Sequence, residues 1–400
     1  MTTLETITHS LHERPLPTGW RMVRLGELIA EAQAGFASGE RDPNGVIQLR
    51  MNNVGTRGNL VWEEVLRVPA DAGTVEQFRL VPGDVMFNNT NSTELVGKSA
   101  LFEGYDEPVV FSNHYTRLRT KPDALLPAFL AAWLNHQWLK GVFANICNRW
   151  VGQSAVKAGR LFKLDFLLPP LPEQKRIATN LREQMAAIEK ARAAAQARLE
   201  AVLALPAALA GDTVRNGPTQ RYLLGDCLVE VRNGVGANWA NYPVLGATRA
   251  GLAPAKEAVG KAPERYKPVD PVTVFYNPMR ILLGSIAMVD EGDDTGITSP
   301  DYVVLKGRLG ILDTRWFYYW FRSAKGAHLI ESLSRGAVRE RILFNRLAAG
   351  EIEIPNYETQ RRASGQMQQI RPVVDSIRKE LETIDALPAT ILRRVFAGVA

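Results

Sequence analysis

Gly97-Lys98-Ser99 repeats the last three residues of a phosphate-binding loop, whose backbone amides cradle a polyphosphate while the lysine reaches its outer oxygens. The first glycine of such a loop would stand at position 92, and Ser92 stands there instead, so a Walker-type nucleotide site is not expected. Glu173-Gln174-Lys175 has the Glu-x-Lys spacing of many nuclease sites, but it follows Pro172 at a helix start, where the helix dipole alone favours a carboxylate. His9, His12, His114, His136 and His328 include no metal-binding pair on a shared helix face. Cys147 and Cys227 are too few for a four-ligand zinc site or a disulfide framework. No catalytic group and no metal site emerges.

Tyr276-Asn277-Pro278-Met279 shares Asn-Pro with the adenine-methylating signature Asn-Pro-Pro-Tyr, yet the second proline and the aromatic after it are missing. Methyl transfer by this chain is therefore not expected. What remains is chemistry suited to recognition. Residues 124–164 hold Lys140, Arg149, Lys157, Arg160 and Lys163 with no acid, and 314–350 hold seven bases, from Arg315 to Arg346, against Glu331 and Glu340. One such stretch reads as a solvated helix face; its recurrence favours contact with phosphates. Nearby side chains match base edges, since Arg suits guanine and Asn or Gln suits adenine in the major groove. The candidate DNA-contacting set is Arg50, Asn88, Asn89, Asn91, Lys98, Arg149, Gln153, Ser154 and Lys157 in one half, and Asn277, Arg280, Arg335 and Arg339 in the other. Loop capping is the structural alternative for Asn88 to Ser92.

These residues recur because the chain is written twice. Leu224-Gly225-Asp226 follows Leu25-Gly26-Glu27 by 199 residues, Val274-Phe275-Tyr276-Asn277 follows Val85-Met86-Phe87-Asn88 by 189, and Trp320 follows Trp133 by 187. Pro355, Gln360 and Arg362 follow Pro169, Gln174 and Arg176 by 186, and Ala386-Leu387-Pro388-Ala389 follows Ala204-Leu205-Pro206-Ala207 by 182. The order never scrambles, so the halves are duplicated as globule, helix, globule, helix. The expected segments are 1–168 and 213–353 for the globules, with helical spacers at 169–212 and 354–400. Short strands over 46–50, 84–88, 109–111, 115–118, 272–276 and 302–305, with helices at 127–143 and 314–330, make the globules mixed α/β, or α+β.

Both spacers carry an apolar stripe at alternating three- and four-residue spacing. Ala178, Leu181, Met185, Ile188, Ala195, Leu199 and Val202 form the first; Ala363, Met367, Ile370, Val374, Ile377, Leu381 and Ile384 form the second. Each stripe needs a partner and the other supplies it, so the spacers are expected to pair as an antiparallel coiled coil, giving the molecule pseudo-two-fold symmetry. Pro372 removes a helical hydrogen bond and predicts a kink or break near 368–372.

Four hundred residues exceed one usual core, and 46% hydrophobic with 22% charged residues excludes global disorder. No signal-peptide core opens the chain and no apolar run reads as a membrane span, so a cytoplasmic protein without a membrane partner is expected. A charge of +6 suits a polyanionic partner.

The residues resemble the specificity subunits of type I restriction-modification systems over almost the full length. The resemblance rests on 168–177, Leu-Pro-Pro-Leu-Pro-Glu-Gln-Lys-Arg-Ile, leading a long helix, on Val151-Gly152-Gln153-Ser154, and on Gly83-Asp84-Val85-Met86-Phe87-Asn88 with Val96-Gly97-Lys98. In the second half 275–280, Ser299-Pro300-Asp301-Tyr302 and 387–392 continue it, while Leu-Pro-Glu-Gln is reduced to Tyr357-Glu358-Thr359-Gln360, which weakens the helix start there. The resemblance implies two target recognition domains, each reading half of an interrupted double-stranded DNA site, with helix length setting the gap. It also implies two methylation subunits carrying S-adenosylmethionine and restriction subunits using ATP, with no cofactor and no catalysis in this chain. A recognition subunit of a type IIB-like system and a coiled-coil scaffold that does not bind DNA are the alternatives.

Overall fold

The computed structural model describes residues 17–334 and 341–397. The chain divides into two compact units, one of residues 1–193 with 382–400, the other of 194–381.

In the first unit, four antiparallel strands lie in the order Ile29–Ala34, Tyr115–Thr120, Val85–Asn88, Ser99–Leu101. A second sheet sets Val46–Leu49 between Leu66–Val68 and, in parallel, Val109–Phe111. Buried on both faces, Val85–Asn88 is apolar except for its last residue. Phe87, Leu118, Phe129, Leu134, Phe143 and Phe166 pack one core beneath the helix Pro127–Leu139. Sequence placed one helix over 127–143; the chain instead breaks at Gly141, whose left-handed φ of +72° starts a second short helix, Val142–Ile146.

The second unit repeats that order: Leu228–Glu230, Val303–Gly307, Thr273–Tyr276, Ile286–Val289, all antiparallel. Its core is more aromatic, with Tyr276, Trp316, Phe317 and Phe321 fully or almost fully buried. The helix expected over 314–330 is likewise two, Thr314–Phe321 and Ala324–Ser334.

Each globule closes by bringing its ends together. Arg21–Arg24 pairs with Asp165–Leu168, and Thr219–Leu223 with Glu351–Pro355. The Leu-Gly-acid words that follow the first strands are explained by close approach. A Cβ on Gly26 would lie 2.9 Å from Phe162 Cβ, and one on Gly225 3.1 Å from Ala348 Cβ, so only glycine lets these backbones meet without displacement.

Helix α1 spans Leu171–Arg215, and helices α2 and α3 span Tyr357–Gln368 and Ile370–Ala397. The interruption falls at Gln369, and Pro372 sits in the first turn of α3, where its missing N–H has no helical partner to lose. Despite its reduced signature, α2 starts cleanly: Asn356 caps it, accepting a hydrogen bond from the Thr359 amide at 2.8 Å.

Within the first unit, α1 and α3 run antiparallel. Ile177 and Leu181 share a core with Leu392 and Phe396, while farther along Arg192 pairs with Asp385 at 2.8 Å. Within the second unit the same sense holds, with Arg198 on Glu380 at 2.6 Å and Ala210 and Val214 in one core with Ala363 and Met367. Leu181, Ile188, Met367, Val374, Ile377 and Ile384 are buried, and Met185, Leu199, Val202, Ile370 and Leu381 are half-buried. No residue of either expected stripe is exposed.

One expectation needs correction. Helix α1 contains an 18-residue window of mean hydropathy 1.2, long and apolar enough by composition to cross a membrane, although sequence reading found no such run. Alanine supplies much of the hydropathy, which is why no run of large apolar side chains stood out. The helix also carries the Arg198 ion pair, and a charge at mid-bilayer is costly.

Candidate nucleic-acid interface

The polar run after Val85–Asn88 is a network turned inward. Asn88 is fully buried; its Nδ2 donates to the carbonyls of Thr90 and His114, and its Oδ1 accepts from Asn91 Nδ2 at 2.7 Å. Asn91 Oδ1 accepts the Ser92 amide, and Asn89 donates to Asn113 O and Thr116 Oγ1. Lys98 is buried too, its ammonium donating to the Val54 carbonyl, and desolvation holds its pKa below the usual lysine range. Ser154, 1% exposed, bonds Thr93 through their hydroxyls at 2.8 Å. Asn88, Asn91, Lys98 and Ser154 thus spend their polar atoms on the fold, and a side chain so placed presents no edge to a duplex. Of that run Asn89, Thr90 and Ser92 are half-buried and border solvent, and the Asn89 amide is engaged. The capping alternative describes these residues.

Other candidates lie close together in sequence on one hairpin and the short helix after it. A hairpin pairs Asn148–Trp150 with Gln153–Ala155 and is held in a third strand-pairing to Thr90–Asn91. Arg149 and Gln153 are exposed on it, and exposed Lys157 caps the next short helix. Arg149 donates to Ala144 O and Arg160 to Ile146 O, which fixes two guanidinium groups without neutralising them. Arg50 is half-buried, donating to Ser38 O.

In the second unit two cations of the expected basic stretch are structural. Arg315 is buried and chelated by Asp290, with Ser364 beside it, and Arg322 donates to the carbonyls of Ile286 and Arg249 under the Tyr318 ring. These two cations are corrected out of the surface patch. Arg335 and Arg339 lie outside the described residues.

A cleft of about 470 Å³ follows Thr273–Tyr276 and holds Asn277 and Arg280, together with Arg249, Lys256, Asp301 and Tyr302. Asn277 Oδ1 accepts the Met279 amide at 2.9 Å. Among the described residues, no hydrogen bond or ion pair is made by the side chains of Arg249, Lys256 or Arg280. Sequence reading missed Arg249 and Lys256 because they lie outside the counted basic stretches; they are exposed cations in a cleft. Among the described residues no group of His, Cys, Asp and Glu stands close enough to hold a metal ion. Both cysteines are free and buried, Cys227 with its thiol pushed up to about 11 by burial.

A family model of the type I restriction modification DNA specificity domain matches residues 17–196, the whole described first globule and the start of α1. A protein of Methanocaldococcus jannaschii named "Putative type I restriction enzyme MjaX specificity subunit" is 24% identical over 357 residues, 81% of this chain and 80% of its own length. The chain is similar to the specificity subunits of type I restriction-modification systems. The StySPI specificity subunit of Salmonella potsdam is 24% identical over 183 residues, 45% of this chain and 39% of that one. In fold, the chain is similar to one solved in a study of type I complex assembly and conformational transition (TM-score 0.65, 18% identity, 96% of this chain and 99% of that one). It is also similar to the HsdS subunit of Thermoanaerobacter tengcongensis (TM-score 0.51, 19% identity, 97% and 99%). The chain therefore has the two-domain, long-helix fold of these solved chains.

Proposed function

We propose that this chain reads a two-part sequence in double-stranded DNA, one half with each globule, and directs adenine methylation and restriction carried out by partner subunits. The observation that carries the reading is the duplication itself: one sheet order, one strand closure and one helix start are built twice, with different side chains on the exposed loops. Two similar readers suit a target in two parts, and unlike surfaces suit unlike halves. The hairpin of Arg149 and Gln153 with Lys157 serves the first half-site, and the cleft of Asn277, Arg280, Arg249 and Lys256 the second. The helix pair serves as the spacer.

S-adenosylmethionine and ATP belong, in this reading, to two methylation subunits and to restriction subunits, in the cytoplasm. Binding of the chain with its methylation partner to duplex DNA, measured against salt, tests it. Affinity that falls steeply and linearly on a log–log plot supports phosphate contact. Affinity for DNA that is absent at every salt concentration would reject it in favour of a protein scaffold.

A further inference from the structure

The tip of the first unit's hairpin is bare. Trp150 is 59% exposed and Val151 is fully exposed, while Gly152, at φ +77°, makes the tight turn between them and Gln153. The base of the same hairpin is fixed: Ser154 and Ala155 pair with Asn91 and Thr90, and the Ser154 hydroxyl bonds Thr93. A rigid stem thus presents an indole and an isopropyl group to water, an arrangement that folding alone does not reward. Cations flank it. Arg149 precedes Trp150, exposed Lys157 follows, and residues 124–164 contain no acid; Glu94 is a carboxylate whose charge reaches Arg149.

We propose that the Trp150–Val151 tip is a wedge that enters the first half-site and stacks against an unstacked base step, while Arg149 and Lys157 hold the adjoining phosphates. The inference rests on the DNA-reading function above. An apolar wedge opens a base step at the cost of stacking and regains that cost by stacking of its own, and an indole does so without regard to base identity. An apolar pocket on a partner protein is the other occupant such a tip suits; the surrounding positive charge favours the polyanion.

The experiment uses the chain bound to its methylation partner and a duplex carrying the target found by mapping methylated adenines, with 2-aminopurine placed singly at each position of the first half-site. Wild type should raise the fluorescence several-fold at one step. Trp150→Ala should abolish that rise and weaken binding about ten- to a hundredfold, the range of one lost base–aromatic stack. Trp150→Phe should keep most of both. Val151→Asp, which places a charge at a fully solvated position, should weaken binding without changing the melting temperature. Specific binding by wild type with unchanged fluorescence throughout overturns the wedge and leaves the reading function standing. Loss of the methylation partner from Trp150→Ala, with binding to DNA retained, overturns it in favour of a protein contact. No specific binding by wild type removes both.

Discussion

Gln174 and Gln360 occupy matching places in the two halves, each fully buried and each tied to the main chain by three hydrogen bonds. Gln174 Oε1 accepts the Leu126 amide while its Nε2 donates to Ala124 O and Pro169 O, all at 2.9 Å. Gln360 does the same with the Asp313 amide and with the carbonyls of Ile311 and Pro355. One amide therefore locks the start of a long helix, the end of the closing strand and the loop before the helix at the foot of the globule.

Replacing either glutamine by alanine leaves a buried donor-acceptor set unpaired, so Gln174→Ala and Gln360→Ala should each cost about 2–4 kcal/mol in urea unfolding of the unit concerned. Lys175→Ala, at an exposed neighbour, should stay within about 0.5 kcal/mol. Equal effects from the exposed and buried positions would contradict the anchor.

His136 stacks on Phe396 with ring centroids 5.0 Å apart, its Nδ1 buried without a partner. Burial, then the charges of Lys140 and Arg393, pull its pKa from 6.5 down to about 4. Between those values the unfolded chain binds a proton that the fold refuses. Stability of the first unit is accordingly full above pH 6.5 and falls as pH drops toward 4, by about 3 kcal/mol at most. His136→Phe should flatten that slope in denaturant titrations at pH 4 to 6.5; an unchanged slope would refute the assignment.

Lys98 follows the same logic at the alkaline end. Burial lowers its pKa below 10.5, so the unfolded chain holds more protons between the lowered value and 10.5, and stability rises with pH across that window. Lys98→Met should remove this rise and leave the methylated sequence unchanged. A changed first half-site would restore Lys98 to the interface.

Exposed cations should behave otherwise. Arg149→Ala should weaken or relax only the first half-site, and Arg280→Ala or Arg249→Ala only the second, each by about 1–3 kcal/mol if the guanidinium reads a base and with a shallower salt slope if it holds a phosphate. Mapping of modified adenines reads the outcome. Both halves changing together would contradict separate readers.

Duplication, strands and helical stripes were legible because they are periodic: Leu181, Ile188, Val374 and Ile384 stand at the spacing that buries one helix face. The DNA-contacting candidates were less legible, because type does not encode direction. Asn88 and Arg149 are both suited to bases, yet a strand end turns the first into the core and a hairpin turns the second outward. Gln174 shows the converse. As Glu173-Gln174-Lys175 it reads as an ordinary helix start, and only the three main-chain partners, up to 50 residues distant, reveal its work. Trp150 carried a signal that composition hides, an aromatic beside valine and glycine in a stretch without acids.

Long-read detection of methylated adenines in a host carrying this chain and its methylation partner tests the central claim most directly. Two short specific sequences separated by a fixed run of unspecified bases are predicted, with the run altered and both sequences kept when four residues are added after Ala191. A single uninterrupted sequence, or an insertion that rewrites the sequences and spares the gap, would contradict it.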